Sequence, residues 1–189
     1  MCSVRIEGAQ IGLPAAHALI RQAAKEASVV VVYMHAGAEG SAADHVTGHE
    51  EYYLGEDRGN PEAFAHLAID SGASLVIASG PHVLRGIQFW HGHLIAYSLG
   101  NFAGYGNFGT DGDLALSAIL HVTLSSSGQF ERARLYPLQF TGQGGPARAR
   151  RQRGRLRRAD IPGGFRVQCR AYLPTGRHPA TVTLPEPAT

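Results

Sequence analysis

Residues Leu75–Phe102 read L-V-I-A-S-G-P-H-V-L-R-G-I-Q-F-W-H-G-H-L-I-A-Y-S-L-G-N-F, and they constrain the fold more than any other stretch. Apolar runs of strand length stop abruptly at small residues, and each stop releases a polar group. His82 follows the first run, and Ser98 and Asn101 close the last. Short apolar runs bounded by glycine are the pattern of buried strands. A rigid sheet that ends in glycine-containing loops is also where α/β proteins carry their chemistry.

A second run, Ser28–Met34 (S-V-V-V-V-Y-M), is β-branched and almost wholly apolar, as expected of a strand buried on both faces of a parallel sheet. It stops at His35 in H-A-G-A-E-G. Between the two runs, Asn60 precedes Pro61 and Gly72 follows Ser71, so the sequence predicts a helix over Pro61–Ser71 with Asn60 as its cap and Gly72 just beyond its end. A strand, a helix and a strand in that order predict a parallel pair joined by a right-handed crossover. An earlier helix is expected from Pro14 to Ala27. Residues 40–59 are polar and aperiodic, and a loop of that length is more often functional than idle.

Downstream, Gly86–Trp90 and Leu94–Leu99 are expected as a hairpin turning at His91–Gly92–His93. Gly100–Gly112 is a glycine-rich loop. Asp113–Leu124 alternates, with Leu114, Leu116, Ala118, Leu120, Val122 and Leu124 on one face and Ser117, His121 and Thr123 on the other. Phe130–Phe140 returns as its antiparallel partner.

The net charge of +2 conceals two unlike segments. Residues 1–146 hold seven Lys or Arg against thirteen Asp or Glu, whereas residues 147–189 hold ten Arg against two acids. The reading is therefore a domain over 1–141 and a basic, Pro/Gly-rich, poorly ordered tail over 142–189. The tail's Arg148–Arg158 run has almost no interleaved aromatics and no helical amphipathicity, so nucleic acid is not the expected partner. Cys2 and Cys169 form no C-x-x-C and no disulfide framework. The start M-C-S-V-R-I-E-G lacks the pattern of a signal peptide, and no apolar run is long enough to span a bilayer.

Eight of the ten histidines fall between His35 and His121. His35 and His82 each leave the end of an expected parallel strand, so they belong to one sheet edge. Converging neutral imidazoles there suit Zn, Mn, Fe or Ni, and hydrogen-bonded loop histidines are the alternative. Glu39, Asp44, Glu50, Asp111 and Asp113 are oxygen donors in loops. Ser98 and Asn101 either contact substrate or cap their own backbone. Arg85 either grips an anion as a bidentate fork or forms an ion pair. Neither a G-x-S-x-G elbow nor a phosphate-binding G-x-x-x-x-G-K-[ST] loop occurs.

The segments V-V-V-V-Y-M-H-A-G-A-E, F-A-H-L-A-I-D-S-G-A-S-L-V-I-A-S-G-P-H-V-L-R-G-I-Q-F-W and L-I-A-Y-S-L-G-N-F, taken in order, resemble the CapA family of capsule and poly-γ-glutamate synthesis proteins over roughly residues 28–139. That family is similar in fold to calcineurin-like metallophosphoesterases. The resemblance implies a layered α/β sandwich of the metallo-dependent phosphatase type with a mixed sheet, truncated on its N-terminal side. It also implies divalent metal ions such as Mn, Zn or Fe on His35 and His82, with His35, His82 and Asn101 as the catalytic set and Glu39, Arg85 and Ser98 facing substrate. The implied activity is metal-dependent phosphoesterase-type hydrolysis, with an anionic polymer or phosphoester as substrate and a cell-envelope synthesis complex as context. Relatives often act at the outer face of the cytoplasmic membrane. Two departures matter. Phosphoesterases of this type usually carry a histidine where Gly80 stands, and their early Asp, Gly-Asp and Asn-His motifs are not visible before His35. A non-catalytic polymer-binding module with a degenerate metal site is the alternative these departures favour.

Overall fold

The computed structural model describes residues 12–148 and, as backbone, 155–161, 164–170 and 180–182. Two helices, α1 (Leu13–Glu26) and α2 (Pro61–Asp70), lie against one face of a six-stranded mixed sheet. That sheet runs in the order β1 (Val31–His35), β4 (Leu75–Ser79), β6 (His93–Ala96), β5 (Ile87–Trp90), β11 (Gly164–Arg170) and β10 (Arg155–Ile161). Strands β1, β4 and β6 are parallel, and the other neighbours are antiparallel. Against its other face packs a second sheet of β12 (Ala180–Val182), β8 (Phe130–Thr141) and β7 (Leu116–Leu124), with β9 (Gly145–Arg148) on β8. A small hairpin, β2 (Tyr52–Tyr53) and β3 (Glu56–Asp57), stands apart in the long loop after β1.

The strand period of two sorts the core. Leu75, Ile87, Phe89, Leu94 and Ala96 face β7 and β8, where they meet Leu116, Ala118, Phe130 and Leu135. Val76, Ala78, Ile95 and Tyr97 face the helices, where they meet Ile20, Ala65, Ala68 and Ile69. The expected parallel pair is β1 with β4, in the register Val31↔Leu75 to His35↔Ser79. Helix α2 begins and ends as its sequence predicts. The Asn60 Oδ1 accepts from the Ala63 amide at 3.0 Å, and Gly72 adopts φ +111°, open to glycine alone at little strain. The hairpin turns at His91–Gly92, both with positive φ, which matches the twist of the strands it joins.

Two expectations need correction. The run ending at Met34 is not buried on both faces. Val30, Val32 and Met34 face the helices, but Val31 and Tyr33 on the opposite face are 54% and 66% exposed. The reason is position: β1 is the edge of the described sheet, and the second sheet covers β4, β5 and β6 without reaching it. Ser117, placed by alternation on the exposed face of β7, is buried, and its hydroxyl donates to the Leu99 carbonyl at 3.0 Å. That bond ties β7 to the chain just before Asn101. Of the segment 142–189 read as a tail, the parts described are the turn 142–144 and strands β9 to β12; the rest, and Cys2, lie outside the described residues. Among the described residues no helix is long and apolar enough to cross a membrane.

Candidate functional site

The C-terminal ends of β1 and β4 bring His35 and the Ser79–His82 turn to one edge of the sheet. Each imidazole there has its own partners. The His35 Nδ1 lies 3.4 Å from the Ser79 hydroxyl, which also bonds the Tyr33 hydroxyl; His35 itself is exposed. Gly80 sits against the same ring, and a Cβ there would come within 3.2 Å of the His35 Cδ2 and 3.0 Å of the Ala36 carbonyl oxygen. With φ +123° at Gly80, this backbone is closed to the histidine that phosphoesterases usually carry at that place.

His82 is the better-defined group. It holds φ +60°, a left-handed conformation uncommon for a residue with a side chain. Asn101 fixes it from two sides. The His82 Nδ1 is 2.6 Å from the Asn101 Oδ1, and the Asn101 Nδ2 donates to the His82 carbonyl at 3.3 Å. The amide oxygen can only accept, so Nδ1 carries the proton and Nε2 is turned to the opposite side of the ring. There the Glu39 carboxylate stands 3.7 Å away. Phe108, from the glycine-rich loop, packs on the ring with centroids 4.8 Å apart. Arg58 binds the other oxygen of Glu39 at 2.7 Å. Fixing one ring nitrogen and presenting the other is how proteins orient a histidine that must bind or exchange a proton.

Of the two readings of Arg85, the structure shows the ion pair, buried rather than at the surface, in place of a fork open to a substrate anion. Arg85 is 1% exposed, and its guanidinium pairs with Glu51 through two bonds of 3.0 and 2.7 Å. Its Nε donates to the Ala43 carbonyl at 2.6 Å and its Nη2 to the Ala38 carbonyl at 3.3 Å. Glu51 in turn accepts from the Ala38 amide at 2.7 Å. The pair therefore nails the 36–51 loop onto the sheet and holds Glu39 where it meets His82. Gly37 makes room for this, since a Cβ there would lie 2.7 Å from the Arg85 Nη1. Ser98 is likewise buried and turned to its own backbone, accepting from the Gly100 amide at 3.2 Å.

The structure thus gathers Glu39, His82 and Asn101, places His35 on the same sheet edge against Ser79 and Gly80, and sets Arg85 and Ser98 as buried supports of the loops. Sequence reading missed Glu51, Arg58 and Phe108. Glu51 is indistinguishable from Glu50 in the sequence, and its partner is 34 positions away. Arg58 carried one signal, as the sole basic residue of the long loop. As for a divalent ion of the Mn, Zn or Fe class, protein sites typically supply about three or more converging side-chain donors. Among the described residues no group of three His, Cys, Asp or Glu is placed to hold one. His82 and Glu39 amount to two donors, and His35 is engaged with Ser79, so the described residues do not make a fit for the metal.

The chain is 31% identical over 113 residues to the PGA biosynthesis protein CapA of Bacillus subtilis, an alignment spanning 60% of this chain and 26% of that protein. The chain therefore matches about a quarter of that relative's length. The model of the bacterial capsule synthesis protein PGA_cap matches residues 5–105, which hold β1 to β6, both helices and every member of the Glu39–His82–Asn101 cluster. On that match over more than half of its length, the chain belongs to the bacterial capsule synthesis protein PGA_cap family.

Proposed function

We propose that this chain works in the synthesis of an anionic capsule polymer as a polymer-binding module, and that Glu39, His82 and Asn101, with His35 and Arg58 beside them, form the edge that meets the polymer. The observation that carries this reading is the fixed imidazole. Asn101 orients His82, leaving Nε2 aimed at a partly exposed carboxylate rather than into the core. An incoming carboxylate or phosphate would compete with Glu39 for Arg58, a hydrogen-bond donor to anions, and for the His82 Nε2 when the imidazole carries a proton on both nitrogens. Arg85 and Ser98 act on the polymer indirectly, by holding the loops on which that edge is built.

The test is a titration of the whole chain with a short γ-linked glutamate oligomer, with and without Mn or Zn. Binding is expected without added metal and is weakened by His82→Ala and by Arg58→Gln. Binding that both variants leave unchanged overturns the assignment.

A second reading is favoured by the same orientation of His82, because metal-ligating histidines are held in this way by their second nitrogen. In it the chain supplies His35 and His82 to a site of the metallo-dependent phosphatase type that the described residues alone do not complete. Asn101 would hold the His82 tautomer, and Glu39 would accept a proton or orient the substrate. Metal-dependent hydrolysis of a simple phosphodiester by this chain, abolished by His82→Ala, would establish it in place of the first.

A further inference from the structure

The glycine-rich loop that begins at Gly100 is held at its neck and at its tip. At the neck Gly100 lies against the first residue of β7, where a Cβ would come within 2.4 Å of the Leu116 carbonyl oxygen. The Leu99 carbonyl accepts there from the Ala118 amide and from the Ser117 hydroxyl, both at 3.0 Å. At the tip the Asn107 amide donates to the Gly104 carbonyl at 3.1 Å and closes a tight turn. Gly106 in that turn takes φ +71°, a sign that glycine adopts at little strain. This turn is moored to the one between β8 and β9. The Gly106 amide donates to the Gln143 carbonyl at 2.9 Å, and the Gly104 amide to the Gly144 carbonyl at 3.4 Å. Strand β8 is packed into the core through Phe130, Ala133 and Leu135, so the mooring is anchored to the sheet.

The turn folds Phe108 back over Gly104 and onto His82. A Cβ at Gly104 would lie 1.9 Å from the Phe108 Cδ2 and 2.2 Å from its Cε2, so the ring fills the space that any larger residue at 104 would need. The same ring packs obliquely on the His82 imidazole, with centroids 4.8 Å and planes 37° apart. Asn101 grips the imidazole in its own plane, through Nδ1, whereas Phe108 meets the ring. A hydrogen bond at one nitrogen still lets an imidazole rock about that bond, and a packed aromatic neighbour removes the freedom. Because Phe108 meets the ring, Nε2 stays turned toward Glu39. An apolar wall beside a charged site also lowers the local dielectric and strengthens the charge contacts made there. Phe108, Gln143 and Gly144 all lie beyond residue 105, where the family match ends.

We propose that Phe108 is a positioning residue for the His82 imidazole, and that the β8–β9 turn sets Phe108 in place by mooring the turn at Gly104–Asn107. Residues beyond the family match thereby complete the His82 edge and govern how tightly it holds an anion. The inference rests on the anion-binding reading above only for its ligand, since the orientation of the ring is a property of the free chain. The mooring has a consequence at a distance. A Cβ at Gly144 would meet the Gly104 carbonyl oxygen at 2.6 Å, at a φ of +95°. A substitution in the β8–β9 turn therefore reaches His82 through Gly104 and Phe108.

Two readouts on the full chain test this, with circular dichroism and thermal melting to confirm that each variant folds as the parent does. The first is the nitrogen-15 spectrum of the His82 ring in the free protein at about pH 8, above the unperturbed imidazole pKa of about 6.5. The parent is expected to show one sharp tautomer with the proton on Nδ1. Phe108→Ala, Gly104→Ala (whose Cβ evicts the ring) and Gly144→Ala are expected to broaden that signal or mix the tautomers, and Phe108→Tyr to keep it. The second readout is binding of inorganic phosphate at about pH 5.5, one unit below that unperturbed value. The three disturbing variants are expected to bind about three- to tenfold more weakly, the scale of one lost ring contact, with Phe108→Tyr within about twofold of the parent. Tyr105→Ala, which removes an exposed ring of the same loop, is the control and is expected to change neither readout. A His82 spectrum unaltered in both Phe108→Ala and Gly104→Ala overturns the positioning role. Equal effects of Phe108→Ala and Tyr105→Ala overturn it too, because the loop as a whole is then responsible. Amide exchange at Gly106 tests the mooring without any variant: protection is expected in the parent, and exchange at the rate of an open amide overturns it. If phosphate leaves the parent's His82 signals unmoved, the anion-binding reading fails, while the free-protein spectrum still decides the role of Phe108.

Discussion

Two Glu–Arg pairs sit within one loop of each other and do opposite things. Glu51–Arg85 is buried, with side chains 7% and 1% exposed, whereas Glu39–Arg58 stands at 21% and 27%. The buried pair is bidentate and surrounded by backbone donors and acceptors that complete its hydrogen bonding. A charge taken out of water needs all of these partners, so the pair is fixed and cannot open to a ligand without a large loss. The half-exposed pair has a single short bond, and its carboxylate faces the presented nitrogen of His82. Screening by water makes that pair weak and exchangeable. The same two residue types give a frame in one place and a working surface in the other, and burial makes the difference.

The largest effect that separates the two comes from Glu51→Ala. It leaves the Arg85 charge buried and unpaired, and stability should fall by about 3–5 kcal/mol, measured by urea denaturation. Glu51→Leu with Arg85→Met should recover much of that loss, since an apolar pair of similar volume has no charge to strand. A double variant no more stable than Glu51→Ala would mean that the pair is not the loop's main anchor.

Next is Gly37→Ala. Its Cβ would push against Arg85 and Glu51 at a φ of +95°, and about 1–3 kcal/mol of destabilisation is expected from such overpacking. A neutral outcome would show that the loop shifts freely over the buried pair.

Asn101→Ala should be smaller in stability, about 1 kcal/mol for the lost hydrogen bonds, but larger in function. With His82 no longer oriented, short-oligomer binding should weaken as much as in His82→Ala. Asn101→Asp, which retains the acceptor for Nδ1, should restore part of it. Equal losses in the Ala and Asp variants would deny Asn101 its positioning role.

The smallest stability effect belongs to Glu39→Gln, within about 1 kcal/mol of the parent for a half-exposed pair. Its melting curve should nearly overlay the parent's while its affinity for an anionic oligomer rises, because the competing carboxylate is gone. A large drop in melting temperature would place Glu39 in the frame with Glu51.

How much of this could be read beforehand follows the range of the interactions. Helix α2 is written in neighbouring residues, with Asn60, Pro61 and Gly72 as its boundaries. The parallel pairing of β1 with β4, and the return of His35 and His82 to one edge, follow from strand–helix–strand order. What depended on distant partners was not legible. Glu51 finds Arg85, and Arg58 finds Glu39, only after the long loop folds back, and no spacing in the chain marks either meeting. The exposure of Val31 and Tyr33 was hidden for a related reason: a β-branched run states that a strand forms, but its place in the sheet decides how many faces are covered. Ser117 was misplaced by alternation because its hydroxyl found the Leu99 carbonyl and could be buried at little loss.

One spectrum tests the contrast between the two pairs most directly. In a nitrogen-15 NMR titration with a short γ-linked glutamate oligomer, the His82 ring nitrogens and the Arg85 Nε–H are followed together. The account predicts that the His82 Nε2 resonance moves with added oligomer while the Arg85 signal stays fixed in position. A His82 ring that does not respond, or an Arg85 signal that moves in its place, would contradict it.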